Sequence, residues 1–282
     1  MKKRGISIAA TVICLLLGMI ICFPLLLIPG GSVTGTAELR RALAPVLQHS
    51  EGYADWQFLP LYPVLDHFRR LLSSPEFFRL FWNSVLMTGM VLAGQLLVGT
   101  PSAWSFASFC FRGRRLLFGI YIVLLLLPFQ VMLLPQYLVL KQTGLYGRPA
   151  AIVLPMIFST FPVFVMYQAF SQIDGDILDS ARLDGAGEWN IFAKIGLPLG
   201  RMGIQSAVVL SFLECWNLVE QPMAFLEEQR YWPLALYLPQ IGIGQAGYAF
   251  AVSIPVLIPA FFVYALGQDA LIEGISVMAE KR

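Results

Sequence analysis

An all-α chain embedded in a membrane, with six transmembrane helices, is what the sequence predicts, on three observations. First, the 282 residues are 57% hydrophobic and only 13% charged, with 21 Phe, and the mean hydropathy is +0.71, outside the usual range of soluble domains. Second, runs nearly free of charge cover Ile6–Ile28, Val85–Phe111, Leu116–Leu140, Ala150–Phe170, Ile204–Phe225 and Ala249–Gly267. Each is near the ~20 residues a helix needs to cross hydrocarbon, and lipid offers no partner for the backbone of an open strand. Third, Lys and Arg gather where one side of a six-span chain falls: Lys2, Lys3 and Arg4, then Arg112, Arg114 and Arg115, then Arg182, Lys194 and Arg201, then Lys281 and Arg282. Positive charge marks that side, with both termini, as cytoplasmic.

Residues 1–28 are expected to form the first transmembrane helix. The apolar run is longer than the ~7–15 residues of a signal-peptide core and no A-x-A-like site follows, which favours a retained anchor. Residues 29–83 form the one long outward loop. Leu39-Arg40-Arg41-Ala42-Leu43 and Phe68-Arg69-Arg70-Leu71-Leu72 suit short surface helices. Ser74-Pro75-Glu76 is a helix start, with Ser as N-cap and Pro at the first helical position. This stretch reads as an interfacial helix feeding the second span or as a contact surface for an external protein. Residues 84–270 form the core, with five further helices, and 271–282 a cytoplasmic tail. Pro101, Pro128, Pro135, Pro155, Pro162, Pro255 and Pro259 fall inside the spans, and each is expected to bend or break its helix.

Several chemistries are disfavoured. None of the lysines follows a glycine, so the chain has no phosphate loop and is no ATPase on its own. His49 and His67 give no HExxH pattern and no credible triad base. Cys14, Cys22, Cys110 and Cys215 lie in or beside spans with no metal spacing. No catalytic residue, no metal site and no nucleic-acid partner is expected.

One segment breaks the apolar pattern. Asp176 is expected to cap a short helix through Leu183, with Asp179 as a weak capping-box partner. Gly185 and Gly187 interrupt it, and a second short helix from about Glu188 to Lys194 is closed by Gly196 and Pro198. Ile177, Leu178, Ala181, Trp189, Ile191 and Phe192 offer apolar contact. Small residues at Ser180, Ala181, Gly185 and Ala186 let another backbone approach. The pair suits either a knob for a partner's socket or an amphipathic connector resting in the headgroups.

The run Asp179-Ser180-Ala181, three residues, Gly185, nine residues, Ile195-Gly196-Leu197-Pro198 resembles the signature loop of binding-protein-dependent ABC importer permeases, E-A-A-x3-G-x9-I-x-L-P, with every spacing matched. Leu183-Asp184-Gly185-Ala186 and Ile191-Phe192 are similar to its carbohydrate branch, the permeases for maltose, glycerol-3-phosphate and multiple sugars. Asn83-Ser84, Phe111-Arg112-Gly113-Arg114, Gly144-Leu145-Tyr146, Trp216-Asn217, Gln268 and Glu273-Gly274 echo the same branch, so the resemblance covers roughly Tyr62 to Gly274. The departures are Asp179 and Ser180 for Glu and Ala, Asp174 for a frequent Pro, and a tail reading Ser276-Val277-Met278-Ala279.

The resemblance implies a non-enzymatic subunit in the plasma membrane of a prokaryote. It would be half of a heterodimer with a second permease, working with two copies of an ABC ATPase and an extracytoplasmic solute-binding protein. No cofactor would be bound by this chain; ATP and Mg would sit on the ATPase. The loop 174–201 would dock on that ATPase through Asp179, Ser180, Ala181, Leu183, Asp184, Gly185, Ala186, Glu188, Phe192, Ile195, Leu197 and Pro198, and would transmit its motion as a rigid body.

Glu214 is the sharpest signal within a span. With a helix starting near Ile204, a rise of ~1.5 Å per residue sets it about 15 Å deep, near the midplane, where a carboxylate marks function by default. Trp216 and Asn217 beside it suit a sugar ring; the other readings of Glu214 are a pairing with the partner permease or a brace for a helix kink. Gln130, Gln136 and Gln168 are further pathway candidates, the other reading of a buried Gln being a bond to a neighbouring helix. The alternatives are an ABC importer for a non-sugar solute, and a self-sufficient secondary transporter, which would show internal repeats and several charged midplane residues. A membrane enzyme is a third class, disfavoured by the absence of catalytic clusters.

Overall fold

The structure, a computed structural model, describes residues 2–47, 53, 60, 62–238 and 243–279. His49, Lys281 and Arg282 lie outside them. Helices account for nearly all regular structure and no strand occurs among the described residues, because apolar runs in lipid close every backbone bond within the segment. Four helices are long and apolar enough to span a membrane, and two bent pairs bring the number to six. The chain divides into two units, Met1–Phe78 with Tyr237–Ile258 and Arg79–Leu236 with Pro259–Arg282.

In the first unit, α1 (Lys2–Val33) continues past Ile28 through Pro29, Gly30 and Gly31. Its apolar side chains from Val12 to Leu26 are mostly exposed, as a lipid-facing surface would be. The two expected surface helices form as α2 (Thr36–Leu47) and α3 (Asp66–Leu72). His67 on α3 is buried with its Nε2 3.1 Å from the Thr34 carbonyl. Gly247 packs directly under that imidazole, where any Cβ would collide with the ring. The Tyr237 and Tyr248 hydroxyls lie 2.9 Å apart, and the Arg70 guanidinium sits 4.5 Å over the Tyr248 ring, a cation–π pair.

Ser74 caps α4 (Pro75–Ser108) as expected, its Oγ accepting from the Phe77 N–H at 3.3 Å. The feeding helix and the second span are thus one helix. The wider turn Gln95–Gly99 precedes Pro101, which is how a helix absorbs a missing N–H without breaking. Pro135 and Pro155 likewise stay inside helices, and Pro255 and Pro259 stay inside α12 (Ala246–Ala279). Pro155 and Pro162 flank an interruption at Phe158 and Ser159, where Ser159 is extended at ψ 138°, so some of the prolines break their helices as expected. Pro128 does so sharply. It forces Leu127 to ψ 124°, as proline does to its predecessor, and α5 (Arg114–Leu126) meets α6 (Phe129–Gln142) at 106°. The third apolar run is a broken pair.

The rest of the second unit is built on α7 (Ala150–Phe170), α8 (Gly175–Leu183), α9 (Glu188–Leu199), α10 (Arg201–Trp216) and α11 (Glu220–Phe225). The fifth span, expected to run to Phe225, ends at Trp216, with Asn217 as its C-cap. Helices α7 and α10 pack so closely that a Cβ at Gly203 would collide with that of Ala169, the small-residue contact on which membrane helices rely. Two apolar clusters form: Met87, Val91, Ile152, Met156 and Phe225 in one, Trp104, Met166, Phe170, Ile191 and Phe192 in the other.

Candidate functional site

The signature segment folds into two short helices joined by a tight turn. Asp174, not Asp176, is the N-cap of α8: its carboxylate accepts from the Asp176 N–H at 3.1 Å. An Asp two residues earlier leaves the whole first turn to Gly175 and Asp176, which the spacing alone did not distinguish. At the other end, the Ala186 N–H bonds the Ala181 carbonyl and the Gly185 N–H the Arg182 carbonyl, both at 3.0 Å. This is the Schellman closure, and it needs the left-handed residue that Gly185 supplies at φ 83°.

Arg182 ties the two helices together. Its guanidinium donates to Glu188 Oε1 at 2.7 Å across the turn and to Asp179 Oδ1 at 2.8 Å on its own helix. The hydrogen bonds to Glu188 first, and to Asp179 second, hold its proton well above even the ordinary arginine range. At this exposure each pair contributes only ~0.2–1 kcal/mol, but the three side chains fix the angle between helices. Read in the sequence only as a cytoplasmic charge, Arg182 is a residue of the site. The signal was there, an acid three residues before it and another six after.

The apolar side chains part into two sets. Leu178, Ile191 and Phe192 are buried, contrary to the expectation that they offer contact to a partner. Phe192 lies 5.7 Å from Trp104, which meets Phe170 edge-on at 5.3 Å. Outward stand Leu183, 88% exposed, Trp189, 72%, and Ile177, 47%. Asp179, Ser180, Asp184, Gly185, Glu188 and Pro198 are exposed as well, whereas Ala181, Ala186, Ile195 and Leu197 are half-buried. Gly196 and Pro198 do not close the second helix, which continues to Leu199. Gly196 is small because the Trp104 ring lies on it, and Gly200, where α9 meets α10 at 71°, because Phe170 does.

Thirteen residues into α10 from the elbow, and so near its other end, Glu214 faces a cleft of about 360 Å³. Glu214 stands two residues before α10 ends at Trp216. Gln136, Gln221, Ser159 and Thr160 share the walls with apolar residues flanking the α5–α6 break, including Leu127 and Phe129. The Glu214 carboxylate has no hydrogen bond or ion pair among the described residues. Gln221 Oε1 is buried with no hydrogen-bond partner.

The remaining pathway candidates lie elsewhere. Trp216 is 3% exposed, stacked on Phe212 with centroids 5.5 Å apart and edge-on to Phe81 at 5.9 Å. Its ring is a packing group here, which corrects the expectation of an aromatic face open to a sugar. Asn217 is exposed and donates to the Leu213 carbonyl at 2.9 Å, closing its own helix. Gln130 donates to Glu220 at 3.2 Å, and Gln168 is half-buried on α7; none of these lines the cleft.

Apolar helices enough for up to six spans, a polar knob clasped on itself between two of them, and a cleft at the opposite end of the connecting helix define a multi-pass membrane transport subunit. The chain belongs to the family described as binding-protein-dependent transport system inner membrane component, whose model matches residues 95–273. It is accordingly an inner-membrane permease component. It is 25% identical over 282 residues to the diacetylchitobiose uptake system permease protein of Streptomyces coelicolor, covering 98% of this chain and 89% of the relative. It is also 28% identical over 220 residues to the lactose transport system permease protein of Rhizobium radiobacter, covering 75% and 79%. In fold it is similar to a chain of a bacterial ABC transporter involved in the import of the acidic polysaccharide alginate: TM-score 0.80, 20% identity, 95% of this chain and 97% of that one.

Proposed function

We propose that the chain is one of two permease subunits of an ATP-driven, binding-protein-dependent importer of carbohydrate, and that its 174–201 loop docks on a separate ATPase. The carrying observation is the knob. A polar helix pair in which Arg182 engages Asp179 and Glu188, while Leu183 and Trp189 stand 88% and 72% exposed, is built to present an apolar contact without deforming. The relatives named for diacetylchitobiose and lactose support a sugar as cargo.

In this reading ATP and Mg belong to the ATPase, two copies of which close beneath a pair of permeases. The termini and the knob are cytoplasmic, while residues 29–83 face a solute-binding protein. Knob movement passes through Ile191 and Phe192 to the Trp104–Phe170 cluster, and through Gly200 into α10, reaching Glu214 at the cleft. The protein's part is to couple a rigid-body motion to the opening of a pathway.

The test is crosslinking from Asp184→Cys, exposed and free of the backbone demand at Gly185, with Cys14, Cys22, Cys110 and Cys215 replaced. A crosslinked P-loop ATPase whose yield changes with ATP is expected. Labelling of lipid alone, with transport persisting without nucleotide, would overturn the reading in favour of a self-sufficient transporter.

A further inference from the structure

The cleft carries a chemical bias that membership of the family leaves open. At about 360 Å³ it falls in the ~300–1,000 Å³ range of small-molecule sites. Among its described lining residues Glu214 is the one ionisable group, and no Lys, Arg or His joins it. One group only accepts: the Glu214 carboxylate, exposed where it meets the cleft. Ser159, Thr160 and the amide of Gln136 can both donate and accept. A hydroxyl, donor and acceptor in one group, satisfies both kinds of wall. A carboxylated sugar does not, since it brings acceptor-only oxygens and a negative charge toward an uncompensated carboxylate.

We propose that this cleft admits neutral polyhydroxylated solutes and rejects acidic ones, with Glu214 as the residue that excludes anions and Ser159 and Thr160 as groups that meet sugar hydroxyls. The inference rests on the carbohydrate reading above and narrows it. It also separates this chain from the similar solved importer, whose cargo is an acidic polysaccharide.

The assembled importer in lipid nanodiscs supplies the test, with the native cysteines replaced and Gln136→Cys introduced as a reporter. Its labelling rate by a cationic and by an anionic methanethiosulfonate is measured, each normalised to a free thiol. The expected ratio is about tenfold in favour of the cation, because a nearby fixed charge acts strongly in a partly desolvated cleft. Glu214→Gln should bring the ratio to near one while the reporter still reacts, which shows that the cleft has kept its form. A neutral glucose trisaccharide should slow labelling and a tri-uronate of the same length should not, until Glu214→Gln is introduced. A ratio near one with Glu214 present, or equal protection by the tri-uronate, overturns the inference. Failure of the unaltered importer to take up any saccharide on adding ATP overturns the carbohydrate reading instead, a result the labelling ratio does not depend on.

Discussion

The knob and the cleft stand near opposite ends of one bent helix pair, and they treat their polar groups in opposite ways. In the knob Arg182 engages Asp179 and Glu188, Asp174 caps α8, and the turn carbonyls of Ala181 and Arg182 accept from the N–H groups that follow. In the cleft Glu214 and Gln221 Oε1 have no partner among the described residues. A self-satisfied element keeps its shape when pushed. An unsatisfied one costs stability where it stands, so on the proposed function stability is concentrated where force would enter and withheld beside the pathway.

Substitutions can break or sharpen this contrast. The largest effect is expected for Trp104→Ala, which empties the space between Phe170 and Phe192. A loss of about 3–5 kcal/mol should appear as a lower unfolding midpoint of the purified complex and as ATP hydrolysis no longer coupled to uptake. Gly185→Ala comes next. A Cβ at φ 83° costs about 1–2 kcal/mol, and Gly185→Asn should recover part of it because Asn tolerates this region. Gln221→Leu should move stability the other way. Removing a buried acceptor without a partner raises the midpoint by the equivalent of about 1 kcal/mol, the sign opposite to every knob variant. Smallest is Arg182→Ala, about 0.5–1 kcal/mol for two exposed pairs. Molar salt should erase the difference from the parent protein, which a salt series of unfolding midpoints would read.

Legibility in the sequence followed the same division. The knob was readable almost to the residue because turns and caps are local: Gly185 and the spacing of its flanks define the helix pair wherever it occurs. The errors there were of degree. The cap lies at Asp174, and Gly196 and Pro198 pass inside the helix because the Trp104 ring demands the missing Cβ at position 196, a tertiary fact. The cleft was half readable. Glu214 stood out as a charge in an apolar run, but Gln221, Ser159 and Thr160 are ordinary polar residues until the α5–α6 break brings them together. Hydropathy alone does not show that break, since Leu116–Leu140 is mostly apolar on both sides of Pro128, and only the proline marks it. Trp216 misled for the converse reason: an aromatic beside Asn suits a sugar, yet Phe212 and Phe81 occupy its ring.

The 71° elbow at Gly200 makes α9 and α10 the two arms of a bell crank. Thirteen residues separate Arg201 from Glu214, so the long arm measures about 20 Å at ~1.5 Å per residue. A pivot of ~10° at the elbow, with the helix rigid, sweeps the carboxylate through about 3–4 Å at that rise. Such a stroke is about the length of one hydrogen bond, enough to hand a hydroxyl from one set of partners to the next. Gear ratio, rather than any change in the side chains themselves, would then set how far the cargo advances for each closure of the ATPase.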